Sequence, residues 1–205
     1  MLTSRNYSSL VIDALCDQAK GQNIAVACFY FDFASQKEQS PTSMLGSILK
    51  QIVAGLEAIP DKIVQAYEDQ KKVIGGRGLR LPEIVEMLQA ASSSQSTFIC
   101  LDALDECVVG HRHKILGSLK QILEKSPNTR IFLTGRPHIR GEVDSRLARE
   151  AATVSISPSR DDIASYLRSR LEEDPNPDAM DSHLEAEILK KFPETTSEMY
   201  AGVQH

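Results

Sequence analysis

Tryptophan is absent from this 205-residue chain and aromatic residues make up only 5% of it, so its core must be built largely from aliphatic side chains. No apolar run approaches the ~18 residues that span a bilayer. The first residues, Met1-Leu2-Thr3-Ser4-Arg5-Asn6-Tyr7, carry no signal-peptide core. These absences predict no membrane partner and, by default, a cytoplasmic protein. An excess of basic residues is also missing, because 23 Lys and Arg are set against 28 Asp and Glu for a formal net charge of −5. Binding to a phosphate backbone draws on clustered cations, so this balance predicts no nucleic-acid partner. Cys16, Cys28, Cys100 and Cys107 form no CxxC pair and have no histidine at metal-ligand spacing, which points to reduced, packed thiols. No G-x-S-x-G elbow offers a nucleophilic serine. A Gly-rich phosphate loop ending in Lys-Ser or Lys-Thr occurs nowhere.

What is present is an ordinary globular composition, 41% hydrophobic and 25% charged, long enough for one α/β domain with a helical appendage. Helical spacing of Leu10 or Val11 with Ala14, Leu15 and Ala19 predicts a first helix over 8–19. A strand follows at 24–33. Helices are predicted from Pro41, where Met44, Leu45, Ile48, Leu49, Ile52, Val53 and Leu56 make an apolar stripe, and over about 60–73. Gly75-Gly76-Arg77-Gly78 reads as a loop between helices, since no Lys-Ser or Lys-Thr follows it. The helix carrying Ile84, Val85, Leu88 and Ala91 leads to a strand beginning near Thr97. After it the pattern predicts a helix over 111–125, a strand at 129–134 and a short helix around 139–149. A strand at 153–157 and helices at 159–172 and about 181–191 complete it. Strands alternating with helices argue for right-handed crossovers and a parallel sheet. The acidic, Pro-containing stretch 172–177 reads as a hinge.

The chemistry concentrates at Phe98-Ile99-Cys100-Leu101-Asp102-Ala103-Leu104-Asp105-Glu106, an apolar strand that ends in three carboxylates. In open α/β sheets ligands bind outside the carboxyl ends of the strands, and acids placed there can hold a divalent cation and orient a water. The alternative is a solvated strand-to-helix turn whose acids cap the next helix. At the end of the next strand, Thr134-Gly135-Arg136-Pro137 offers a cation to a phosphate or to those acids, or is an ordinary loop. His111 and His113 follow the acids closely, but the sequence designates no partner for them.

In this order the segments resemble a NACHT-type (STAND-class) P-loop NTPase domain, close to the nephrocystin-like N-terminal family. The resemblance rests on Val26-Ala27-Cys28-Phe29-Tyr30-Phe31-Asp32-Phe33, Leu45-Gly46-Ser47-Ile48-Leu49-Lys50-Gln51-Ile52, Ile99 through Cys107, Thr134-Gly135-Arg136-Pro137 and Asp161-Asp162-Ile163. It implies an α/β parallel sheet flanked by helices, with a core over 1–157 and a C-terminal helical segment over 158–205. It implies Mg2+ at Asp102, hydrolysis supported by Asp105, Glu106 and Arg136, and a nucleotide bound by Asp102, Thr134 and Arg136, with Arg136 on its terminal phosphate. The implied cofactors are Mg2+ with ATP or GTP, and the implied partners are proteins or further copies of the chain. Where the family commonly has Thr-Ser-Arg-Pro, this chain has Gly135 in place of the Ser. The resemblance also implies that a central strand and phosphate loop stand before the first helix. The expectation for this chain is therefore a truncated domain with a gap in its sheet and weak or no nucleotide binding, or else a non-catalytic interaction module or a fragment without independent function.

Overall fold

The computed structural model describes residues 4–72, 78–147, 152–155, 159–173, 181 and 183–191. The chain divides into two compact units, Leu2–Ala151 and Ala152–His205 with Met1. In the first, helix α1 (Ser4–Ala19) leads to strand β1 (Ile24–Tyr30). Helices α2 (Pro41–Ala54), α3 (Asp61–Lys72) and α4 (Leu81–Ser93) precede β2 (Ser96–Asp102). Helix α5 (Val109–Lys125), β3 (Thr129–Leu133) and α6 (Arg140–Leu147) follow. The second unit holds α7 (Arg160–Glu172) and a further helical stretch at 183–191.

Local signals account for the helix ends. The Ser40 hydroxyl accepts a hydrogen bond from the Ser43 N–H at 3.1 Å, Pro41 sits in the first turn of α2, and Gly55 closes it. Met44, Leu45, Ile48, Leu49 and Ile52 are buried along one stripe of α2, as their spacing predicts. Ser159 and Asp162 form a reciprocal capping box at the start of α7.

The three strands form one sheet in the order β1-β2-β3, and both pairs are parallel. Phe29 lies beside Leu101, and Leu101 beside Leu133. Side chains alternate across the sheet, which sorts the residues. Ala25, Ala27, Ile99 and Leu101 join the main core with the stripes of α2, α4 and α5, and Ile131 and Leu133 pack against it. Asp102, one step on from Leu101, points to the opposite face, where Ser8 of α1 meets it. All three carboxyl ends therefore lie at one edge of the sheet.

The outer edge of β1 is covered by a side chain. The amide of Gln51 on α2 accepts from the Cys28 N–H at 2.9 Å and donates to the Cys28 carbonyl at 2.9 Å. It satisfies backbone groups that would otherwise template another strand.

Two expectations need correction. Residues 152–155 form no strand, and 156–158 lie outside the described residues. Val154 is 79% exposed, and β-branched residues make a strand only with a pairing edge and a surface to pack on. On α1 the buried line runs through Ser8 and Ile12, with Val11, Leu15 and Ala19 half-buried, whereas Leu10 and Ala14 face solvent. A serine with a buried acceptor took a core-facing position that apolar spacing assigned elsewhere. The short helix expected around 139–149 is borne out as α6, behind a 3-10 turn at Pro137–Ile139, and 148–151 lie outside the described residues. The glycine loop falls mostly outside them too, since 73–77 are not described.

Candidate functional site

Asp102 closes β2 and is 1% exposed. Its Oδ1 accepts from the Ser8 hydroxyl and, at 2.5 Å, from the Thr134 hydroxyl. Its Oδ2 is fully buried and meets no donor among the described residues. A buried carboxylate oxygen is costly without a partner, so this one calls for a donor, a water or a cation.

The turn after Asp102 is built around Thr134. Ala103 adopts φ +54°, a left-handed conformation uncommon for a residue with a Cβ. Its N–H donates to Thr134 Oγ1 at 3.0 Å, while the Leu104 N–H donates to the Thr134 carbonyl at 2.9 Å. The Thr134 N–H in turn donates to the Leu101 carbonyl at 3.0 Å. One threonine thus joins the carboxyl ends of β2 and β3 and orients Asp102.

Beyond it, residues 104–106 make a single 3-10 turn carrying the other two acids. Asp105 is engaged on both oxygens: Oδ1 accepts from the Arg136 N–H at 3.1 Å, and Oδ2 lies 3.4 Å from Arg136 Nε. The Asp105 side chain is 7% exposed and that of Arg136 is 76% exposed, so the guanidinium reaches into solvent from a buried anchor. Glu106 turns toward the loop after β1, where Oε2 accepts from the Phe33 N–H at 3.1 Å; the Gln36 amide donates to the Glu106 carbonyl at 2.6 Å. Gly135 sits close to the side chain of Ile139. A Cβ there would stand 2.6 Å from Ile139 Cδ1 and 3.5 Å from Asp105 Oδ1.

The structure therefore brings together Asp102, Asp105, Glu106, Thr134 and Arg136 at one edge. It leaves out the histidines: His113 Nε2 sits 3.0 Å from Glu142 Oε1, between α5 and α6. Two residues escaped the sequence reading. Ser8 carried the signal of i, i+4 spacing to Ile12. Arg112 is 6% exposed and stands in line with the buried Ile115, Leu116 and Leu119 on α5, a charge on an apolar stripe. Burial pushes the Cys107 thiol up to about 11 and the Cys100 thiol up to about 12, which keeps both protonated and unreactive. Burial likewise raises the Tyr30 phenol beside this edge.

Among the described residues no group of three or more His, Cys, Asp or Glu side chains could hold a metal ion. Mg2+ does not need one, since it keeps several waters and takes one or two carboxylates plus phosphate oxygens. The free Oδ2 of Asp102 fits that requirement as a single-carboxylate ligand.

Residues 7–136 match the family model described as nephrocystin 3, N-terminal, a span that contains every residue of this site. The chain belongs to the nephrocystin 3 N-terminal family. Among solved structures, this family member is similar to the Aeropyrum pernix ORC1 protein in complex with DNA, with a TM-score of 0.50 and 18% identity. The match covers 84% of this chain and 43% of that one, so the chain spans less than half of the ORC1 protein. At that identity the likeness concerns the fold alone, and the DNA belongs to the ORC1 complex. It bears out a P-loop NTPase-like parallel sheet flanked by helices. No curated protein matches the chain. Among the described residues no helix is long and apolar enough to cross a membrane.

Proposed function

We propose that this nephrocystin 3 N-terminal domain carries the acid-bearing half of a nucleotide-dependent switch site of NACHT type. The observation that supports it best is Asp102, buried at a strand end with one carboxylate oxygen engaged by two hydroxyls and the other without a donor among the described residues. Asp102 would hold Mg2+, which when bound neutralises phosphate charge. Thr134 orients the carboxylate. Glu106, whose side chain reaches the loop after β1, is the acid placed to orient a water. Arg136 is the cation offered to a terminal phosphate, and Asp105 anchors it.

On this reading the chain alone binds nucleotide weakly or not at all, because its sequence contains no Gly-rich loop and Lys to cradle the β and γ phosphates. Protein partners or further copies of the chain are then the objects of the switch, in a cytoplasmic setting. Net charge −5 supports protein over nucleic-acid partners. Isothermal titration with Mg-ATP and Mg-GTP is the test. Affinity in the micromolar range would overturn the claim of weak binding, and failure of Mg2+ to raise the melting temperature of the wild type relative to Asp102→Asn would overturn the metal assignment.

A second reading is supported by the engagement of every acid in holding a loop: Asp105 by Arg136, Glu106 by Phe33 and Asp102 by Ser8 and Thr134. Here the domain is a protein-interaction module whose acids serve as staples. Asp102→Ala and Glu106→Ala would then lower stability with no Mg2+-dependent difference, and binding of a protein partner would survive.

A further inference from the structure

We propose that Arg112 is a positioning residue that aims Glu106 and sets the acid turn against the loop bearing Arg136. The inference rests on the reading of Glu106 and Arg136 as site residues. Arg112 lies in the first turn of α5, buried where its neighbours along the helix face are apolar. A guanidinium in such a place must find acceptors for its donors. It finds them on both sides of Glu106: Nη1 donates to the Cys107 carbonyl at 3.0 Å and, at 3.5 Å, toward the Asp105 carbonyl. When the carbonyls of residues i−1 and i+1 converge on one nitrogen, the backbone orientation of residue i is fixed. The Glu106 side chain is thereby directed to the Phe33 N–H and the carboxyl edge of the sheet.

The other end of the guanidinium reaches helix α6. Nε donates to Glu142 Oε2 at 2.8 Å, and the Glu142 side chain is 18% exposed. Glu142 stands near the start of α6, six residues after Arg136 and joined to it by the turn at Pro137–Ile139. One buried side chain thus bonds the segment carrying Asp105 and Glu106 and the helix that follows Arg136. Lys could not replace it, because a point ammonium cannot span a carboxylate and two carbonyls in the fixed fork that Arg provides.

The experiment is amide NMR on the full chain, comparing wild type, Arg112→Lys and Glu142→Gln. Arg112→Lys keeps the charge beside Glu142, so the variant is designed to fold. Glu142→Gln still offers Nε an acceptor and leaves the carbonyl bonds in place. The expected result for Arg112→Lys is a displaced Phe33 amide proton and exchange at Arg136 N–H and Glu106 N–H faster by about tenfold, the factor for losing about 1.4 kcal/mol of local protection. Ile99 and Leu101 amides in β2 should keep the wild-type rate, and Glu142→Gln should leave Phe33 in place. The inference is overturned if Phe33, Glu106 and Arg136 amides are unchanged in Arg112→Lys. It is overturned equally if β2 amides accelerate alike, or if Glu142→Gln displaces Phe33 as strongly, since either marks Arg112 as scaffold alone. None of these readouts requires nucleotide, so failure of the switch reading by titration remains a separate result.

Discussion

Replacing Thr134 by Val keeps the shape of the side chain and removes the one hydroxyl on which the junction of β2 and β3 depends. Two bonds are lost: the donor to Asp102 Oδ1 at 2.5 Å and the acceptor for the Ala103 N–H at 3.0 Å. A hydrogen bond to a charged acceptor contributes roughly 1.5–3 kcal/mol, and a buried N–H left unpaired costs about 1–3 kcal/mol. The bonds share one oxygen and relax together, so their sum is an upper bound and a loss of about 3 kcal/mol is expected. With a urea slope of about 1–3 kcal/mol/M this moves the midpoint down by about 1–3 M. The assay is equilibrium urea unfolding followed by far-ultraviolet circular dichroism, with Thr134→Ser as the partner variant. Serine keeps the hydroxyl and loses a methyl, so it should stay within about 1 kcal/mol of wild type. A loss below about 1 kcal/mol in Thr134→Val, or a Ser variant no more stable than the Val variant, would refute the reasoning and assign the junction to packing alone.

Further expectations follow from other contacts. Gly135→Ser should destabilise by about 1–2 kcal/mol through overpacking, because a Cβ there meets Ile139 Cδ1 at 2.6 Å; adding Ile139→Val should recover part of the loss in the same urea assay. Gln51→Leu uncovers the Cys28 N–H and carbonyl at the edge of β1, so light scattering should show concentration-dependent association absent from the wild type. The Cys100 thiol is raised by burial from 9.0 to about 12. The unfolded chain therefore loses this proton first, and stability should hold below about pH 9 and fall as pH rises toward the folded value. Thermal melts should show a shallower alkaline decline in Cys100→Ala. In the folded state a thiol reagent at mildly alkaline pH should modify exposed Cys16 well before buried Cys100 and Cys107.

Neighbouring residues alone specify the order of helices and strands from α1 to α6, the apolar stripes of α2, α4 and α5, and the acid-tipped strand. Helical spacing identifies Met44, Leu45, Ile48 and Leu49 as one stripe wherever that stripe lands. The acids after β2 reach the carboxyl edge because a parallel strand order leaves them nowhere else. Which side chains answer one another depends on the packed chain. Ser8 meets Asp102 across 94 positions, and Thr134 meets it across 32. Asp105 is held by the backbone and guanidinium of Arg136 across 31 positions, where spacing alone gave it the same standing as Glu106. The stretch at 152–155 shows the reverse. Its β-branched residues favour a strand locally, but a strand is completed by a partner's backbone, and no local pattern supplies one. Local chemistry sets what each segment can become, and packing sets which buried polar atoms find a partner, because a donor for Asp102 must come from whichever chain folds over it.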